Sequence, residues 1–351
     1  MRPCIVKWED ADRDKWDSFV RSNSMGYAFH LYDVIRLHHW RSFKDRSFCI
    51  VDLDRKSEIV LIVRLHERHR EIDDTYYLSS QWGFVLKDSL AKKELRKLIE
   101  CFREYIDGII ETDNVRSYDI SFSALTQYMS SKEAMINPAI YFGFRPAVQY
   151  TWVKDMRGNT EQLLGECDQN TRRRIRSIAN EGRYTVFRPE LNEESLDEFY
   201  RMHRETYVRT HHERLLIDRD YFEYIWYNLA NKDVVSVFFC RDNNTGESID
   251  SIITINFDNT SYYWYGASID GIDGSVNRYL HWMAMTQCKE DYSLRTGKDD
   301  FLYETGAAFP YLISGKEKRI SDFKRSFATG LSVRHIGEYV MKDDPQNLNE
   351  T

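Results

Sequence analysis

The chain has 351 residues, 42% hydrophobic and 14% aromatic, which is enough for two domains with cores of their own. Its 49 basic and 56 acidic side chains give a formal charge of −7, which excludes a strongly basic DNA-reading module but leaves room for a local basic patch. The six cysteines form no closely spaced pair, the N-terminus has no signal-like apolar core, and no run approaches the ~18 apolar residues of a membrane span, so a reduced, cytoplasmic protein is expected.

Asp10 to Arg21 reads as a helix with Trp16, Phe19 and Val20 on its apolar stripe. The aromatic stretch Tyr27 to Trp40 continues as a second short helix. Phe48 to Leu53 and Ile59 to Leu65 are strands joined by a turn at Asp54 to Ser57. Tyr76 to Leu78 is a further strand, running into Ser79 to Leu86, where Gly83 marks a tight backbone position. Asp88 to Glu111 is the clearest helix, capped by Asp88 or Ser89, with Leu95, Leu98, Ile99, Phe102, Ile106, Ile109 and Ile110 on one face. Ser117 to Phe122 and Gln149 to Asp155 alternate as strands. A domain boundary is expected near there, giving 1–155 and 156–351.

The second half repeats this order. Helices are expected at Glu193 to Arg209 and Asp220 to Leu229, and strands at Val234 to Cys240, Ser248 to Phe257 and Ser261 to Gly266. A long helix follows from Asn277, read as its cap, and then a strand from Phe301 to Thr305. The repeat is one of element order, without residue identity. It points to two copies of one α/β unit with mixed sheets flanked by helices. The polar tail from Asp343 to Thr351 reads as mobile.

Common catalytic signatures are absent: no Gly-x-Ser-x-Gly elbow, phosphate-binding loop or dinucleotide fingerprint occurs. His38-His39 and His211-His212 are adjacent pairs whose side chains diverge, so no metal site is expected. Thr171 to Gly182 carries Arg172, Arg173, Arg174 and Arg176 on a helical pattern. Arginine forks suit phosphate oxygens, and the same pattern also fits a solvated amphipathic helix. Phe323-Lys324 reads either as surface charge or as a lysine set between Phe323 and Phe327, where partial desolvation strengthens its field at a developing oxyanion.

Taken together, these motifs resemble the Fem family of peptidyltransferases. These are tandem acetyltransferase-like (GNAT-like) folds that move amino acids from aminoacyl-tRNA to peptidoglycan precursors. The resemblance rests on Trp16 to Phe19, Ser80 to Val85, the basic helix, Tyr262 to Ser268, Leu280-His-Trp282, Tyr303-Glu-Thr-Gly306 and Phe323-Lys-Arg-Ser-Phe327, in the family's order. Trp82, Phe84 and Glu304 depart from its usual residues, and the coiled-coil arm of some members is missing. The acetyltransferase coenzyme A loop is also missing; Asp270 to Arg278 stands in its place.

The resemblance implies an α/β protein of two GNAT-like domains that forms an amide without a separate cofactor, aminoacyl-tRNA being a co-substrate. Lys324 would be the oxyanion-side group, oriented by Phe323. The four arginines would hold the tRNA, and the amine acceptor would lie between the units near Arg36, Trp82, Tyr263, Tyr265 and Glu304. That acceptor is a peptidoglycan precursor or another nucleotide- or lipid-linked amine, which places the protein in the cytoplasm or at the membrane periphery. Two other readings stay open: an acyl-CoA-dependent N-acyltransferase acting on a sugar amine or small metabolite, and a non-catalytic RNA-binding relic of the fold.

Overall fold

The computed structural model describes residues 1–40, 43–70, 74–210 and 217–341. The His211-His212 pair and the tail from Asp343 lie outside them. The chain forms two compact units, one of residues 1–149 with the returning segment from Val333, the other of Tyr150–Ser332. The expected boundary at 155 falls six residues later than this division.

The first unit opens with β1 (Pro3–Lys7), α1 (Arg13–Ser22) and α2 (Tyr32–Ile35). Next come β2 (Lys44–Asp45), β3 (Phe48–Asp52), β4 (Glu58–Val63), β5 (His66–Arg70), β6 (Thr75–Trp82) and β7 (Phe84–Leu86). α3 (Lys92–Thr112), β8 (Val115–Phe122) and the start of β9 (Phe144–Asp155) follow. One small sheet has the order β1-β3-β4-β7. Every residue of β3 is buried, as expected of a continuous apolar run covered on both faces. A second group of strands runs β2-β5-β6-β8.

The chain passes from β6 to β7, and from one sheet to the other, through two successive residues of positive φ, Trp82 (88°) and Gly83 (81°). A Cβ on Gly83 would lie 2.3 Å from the Phe122 ring, so both the conformation and the close approach require glycine. α3 buries Leu98, Phe102, Ile106 and Ile109 at three- and four-residue spacing. Each contributes about 2 kcal/mol by leaving water.

The second unit contains α4 (Thr160–Gly165), α5 (Gln169–Glu181), β10 (Tyr184–Phe187), α6 (Glu193–Thr210) and α7 (Arg219–Tyr224). β11 (Val235–Asp242), β12 (Ser248–Phe257), β13 (Thr260–Ser268), α8 (Gly274–Thr296), β14 (Leu302–Ala308), α9 (Lys316–Arg325) and β15 (Gly330–Tyr339) complete the chain, the last continuing into the first unit. Its strands are ordered β10-β11-β12-β13-β14-β9. β11, β12 and β13 form an antiparallel meander, while α8 carries the chain over to β14, which pairs parallel with β13. The core lies between α8 and the sheet, where Leu280, Trp282, Met285 and Cys288 meet Phe238, Ile252 and Tyr303. Four of the six cysteines, Cys49, Cys167, Cys240 and Cys288, are buried and unbridged, as small apolar residues.

Candidate active site

Two neighbouring irregularities open the sheet of the second unit. The β13–β14 pairing covers Thr260↔Leu302, Ser261↔Tyr303 and Tyr262↔Glu304 and then stops, although both strands continue. On its other edge β13 shifts register against β12, with Ile253 opposite Tyr265 and Thr254 opposite Tyr263. Trp264 is the extra residue of this bulge, and β14 shifts likewise against β9 between Glu304 and Gly306. Bulges twist strands and re-aim side chains. Here β13 and β14 part after Glu304, while Gly306 keeps its pairing with Trp152 of β9.

Lys324 occupies this opening. It stands in the last turn of α9 rather than in a loop, and its side chain is half-buried. A Cβ on Gly306 would lie 2.7 Å from Lys324 Nζ and 3.8 Å from Tyr262 Oη, so the ammonium and the phenol converge on one glycine. Gly306 has φ +102°, a conformation that side chains with a Cβ rarely adopt. α9 is held to β9 and β14 by Ser321, whose hydroxyl accepts from Trp152 Nε1 (3.0 Å) and from the Phe309 backbone N–H (3.0 Å).

The floor of the opening is aromatic. The His281 ring lies 4.6 Å from Tyr263, 5.1 Å from Phe323 and 5.8 Å from Phe327. Burial, then the positive charges of Lys324 and Arg278, push its pKa down to about 3. A neutral imidazole among rings gives Lys324 a weakly polarisable support on that side, which strengthens the field of the ammonium. Burial likewise raises the Tyr263 phenol, so it stays protonated.

A second positive feature adjoins this floor. The Arg278 guanidinium lies 5.1 Å over the Phe323 ring, and it donates to Thr171 Oγ1 (3.2 Å) and to the Gly274 carbonyl (3.1 Å). Arg174 donates to Ser275 Oγ (2.9 Å) in the same first turn of α8. Burial, then the charge of Arg174, lowers the Arg278 pKa. Two guanidinium groups thus come together, their repulsion offset in part by Asp273, 3.9 Å from Arg174, and by the charge of Asp168. The helix start itself is occupied: Asp273 caps α8, accepting from Ser275 N–H through its carboxylate (2.7 Å) and from Val276 N–H through its carbonyl (2.9 Å). The cap expected at Asn277 is therefore four residues too late, because Asn277 Nδ2 donates instead to the buried Asp250 carboxylate (3.0 Å).

Of the residues singled out by sequence, Lys324, Phe323 and Tyr263 come together. Among the four arginines, Arg174 reaches the α8 start. Arg172 donates to the Gly165 carbonyl (2.6 Å), Arg173 is exposed beside Asn170, and Arg176 pairs with Glu161. Tyr265 lies apart from Tyr263: its hydroxyl meets Tyr221 Oη at 2.8 Å and its ring packs edge-on to Phe222, so the bulge sends the two tyrosines to opposite faces. Glu304 is fully buried and accepts from Thr151 Oγ1 (2.6 Å).

Arg36 and Trp82 belong to the first unit. Arg36 is exposed on a short 3-10 turn. Trp82 is buried and stacked on Phe29 (4.1 Å, 5°), with Arg334 at 5.0 Å over its ring. Tyr262, Gly306, Arg278 and His281 were not singled out individually. All four sit inside motifs that were, Arg278 in the Asp270 to Arg278 turn, but a run such as Tyr-Tyr-Trp-Tyr does not declare which ring faces which way. Among the described residues no group of three His, Cys, Asp or Glu could hold a metal ion, and no helix is long and apolar enough to cross a membrane.

Comparison with known proteins gives the same architecture. Residues 165–301 match the family model of the acetyltransferase (GNAT) domain. No curated protein matches the chain. Among solved structures it is similar to FemX, at 16% identity and a TM-score of 0.68 over 100% of both chains. It is also similar to the C-terminal domain of a putative lysylphosphatidylglycerol synthetase from Agrobacterium fabrum, at 12% identity and a TM-score of 0.55 over 95% of this chain and 93% of that one. A tandem GNAT protein from the clavulanic acid biosynthesis pathway gives 9% identity and a TM-score of 0.51 over 97% and 99%. The chain therefore has a Fem-like tandem GNAT fold, the acetyltransferase-type module used twice, with no coiled-coil arm among the described residues.

Proposed function

We propose that this protein is an acyltransferase that moves an aminoacyl group from aminoacyl-tRNA to an amine. The observation that carries the reading is Lys324, an ammonium on the last turn of α9, placed against Gly306 where β13 and β14 separate. An aminoacyl ester is already activated, so no covalent enzyme intermediate is required. The acceptor nitrogen attacks the ester carbonyl as the free amine. A C–N bond forms, the carbonyl electrons move onto oxygen, and the tetrahedral oxyanion is stabilised by Lys324 Nζ. Collapse breaks the ester C–O bond, and the proton lost from nitrogen ends on the ribose hydroxyl. Proximity supplies much of the remaining acceleration.

The α8 start bears on the donor. Acetyltransferases of this fold class would seat a coenzyme A pyrophosphate on free amides there, whereas Asp273 fills that position with a carboxylate. Arg174 and Arg278 remain to hold a phosphodiester beside the opening. Incubating the protein with a panel of aminoacyl-tRNAs and candidate amines, among them peptidoglycan precursors, tests the reading by mass. An added aminoacyl residue on one amine is expected, and its absence from the whole panel overturns the proposal.

A second reading, transfer from an acyl-CoA, is favoured by the match of residues 165–301 to the GNAT acetyltransferase model. Thermal shift discriminates the two: stabilisation by acetyl-CoA and not by charged tRNA selects the second.

A further inference from the structure

The turn between β14 and α9 exposes apolar side chains that the fold does not use. Tyr311 is 70% exposed and Ile313 is 95% exposed, at the tip of Phe309-Pro-Tyr-Leu-Ile-Ser-Gly315. α9 then begins with Lys316, Lys318 and Arg319, and exposes Ile320 as well. From Phe309 to Arg325 there are five basic residues against two acidic ones, in a chain whose overall charge is −7. The Lys316 ammonium donates to the Thr210 carbonyl (2.8 Å) and so brings the end of α6 alongside, where Val208 is 65% exposed. Exposed apolar residues standing singly need no explanation. A tyrosine and an isoleucine on one tip, bordered by local positive charge, fit a layer that is apolar within and anionic at its face.

We infer that this tip and the first turns of α9 form a docking surface for an anionic phospholipid membrane. Tyr311 and Ile313 enter the headgroup region while Lys316 and Arg319 face lipid phosphates. Another exposed apolar group, Met135, Ile136, Ile140 and Tyr141, has Lys132 as its neighbouring basic residue and lacks this charge complement. Lys316, Ile320 and Lys324 follow one another at four-residue spacing along α9. The eight helical rises from Lys316 to Lys324 span about 12 Å. A membrane held at the helix start therefore lies within reach of an amine carried on a lipid headgroup or a lipid-linked chain. The docking surface itself does not depend on the proposed chemistry, since it is read from exposure and charge alone.

The test is co-sedimentation of the full chain with vesicles of phosphatidylcholine alone and with vesicles containing phosphatidylglycerol. Binding to the anionic vesicles, weakened by salt, is expected, together with little binding to the neutral ones. Tyr311→Ser with Ile313→Ser should weaken partition roughly tenfold, and Arg319→Glu about five- to tenfold. Both changes lie at exposed positions, so an unchanged melting temperature certifies the fold. Equal binding to both vesicle types, or variants that bind as well as the parent, overturns the inference. A concentration-dependent dimer that the double substitution turns into monomer also overturns it, by assigning the tip to a second copy. Retained vesicle binding with no amide product would leave the docking surface standing and remove the proposed reaction.

Discussion

Among the described residues each unit contains a pair of parallel strands joined by a helical crossover, and the two pairs end differently. In the first unit β6 and β8 pair over seven positions, from Tyr76↔Val115 to Trp82↔Phe122. In the second, β13 and β14 pair over three and then part. The closed pair is sealed at its end by the Gly83–Phe122 contact and the Trp82–Phe29 stack. The open pair leaves Gly306 facing Lys324 and Tyr262. The same module is thus packed shut in one unit and open at the candidate site in the other, and the difference is made by where strand pairing stops.

The sharpest way to break this contrast is to remove the charge from the open end. Lys324→Ala should lower amide formation about 100- to 1000-fold, the usual effect of losing one oxyanion donor, with little change in melting temperature. A loss smaller than about tenfold would show that the ammonium acts elsewhere. Next is the glycine that makes room for it. Gly306→Ala puts a Cβ 2.7 Å from Nζ at φ +102°, so the ammonium must swing away. Turnover should fall about tenfold or more, at a stability cost of about 1 kcal/mol. Should the variant keep full rate, Lys324 does not work from the observed position.

The matching change at the closed end should leave the rate per folded molecule alone. Gly83→Ala forces a Cβ to within 2.3 Å of the Phe122 ring at φ +81°. An aromatic ring cannot move aside as a lysine tip can, so a loss of roughly 2–3 kcal/mol in denaturant unfolding is expected. Equal behaviour of the two glycine variants in both assays would mean that closed and open ends do not divide support from site.

Much of the fold was legible because burial imposes periodicity. α1, α3, α6, β3, β4 and β12 follow their apolar patterns closely, and the turn at Asp258 between β12 and β13 lies where polar residues mark it. β5 was not legible. His66-Glu-Arg-His-Arg70 has no apolar alternation, and it is held through its buried His66 and Glu67, the latter paired with Arg46 and Lys44. Helix starts shifted for a related reason: polar residues compete for partners. Asp88, expected to cap α3, is instead bonded to Ser24, and α3 starts from Ala91, whose N–H donates to Glu94. In the site, Phe323-Lys324 was legible as a motif, whereas the division of Tyr263 from Tyr265 was not. Alternation puts both on one face, and one extra residue in the strand, decided by pairing with β12, reverses it.

The smallest effect expected concerns Asp250, buried in β12 beneath the first turns of α8. Burial raises its pKa from the ordinary aspartate range to about 7, against the lowering influence of the Asn277 amide and the Ser251 N–H. The folded state therefore binds a proton that the unfolded state has released across this range. Stability contributed at this site is largest at low pH and falls as pH rises from about 4 to about 7. Asp250→Asn keeps a side-chain oxygen for its donors and removes the titration. The variant should gain at least about 1 kcal/mol on the parent between pH 5 and pH 8, read from urea unfolding at each pH. A flat difference would mean that Asp250 is already ionised at pH 5. The buried carboxylate would then be held in its charged form by the Asn277 amide, the Ser251 N–H and the charge of Arg209, against the cost of burial.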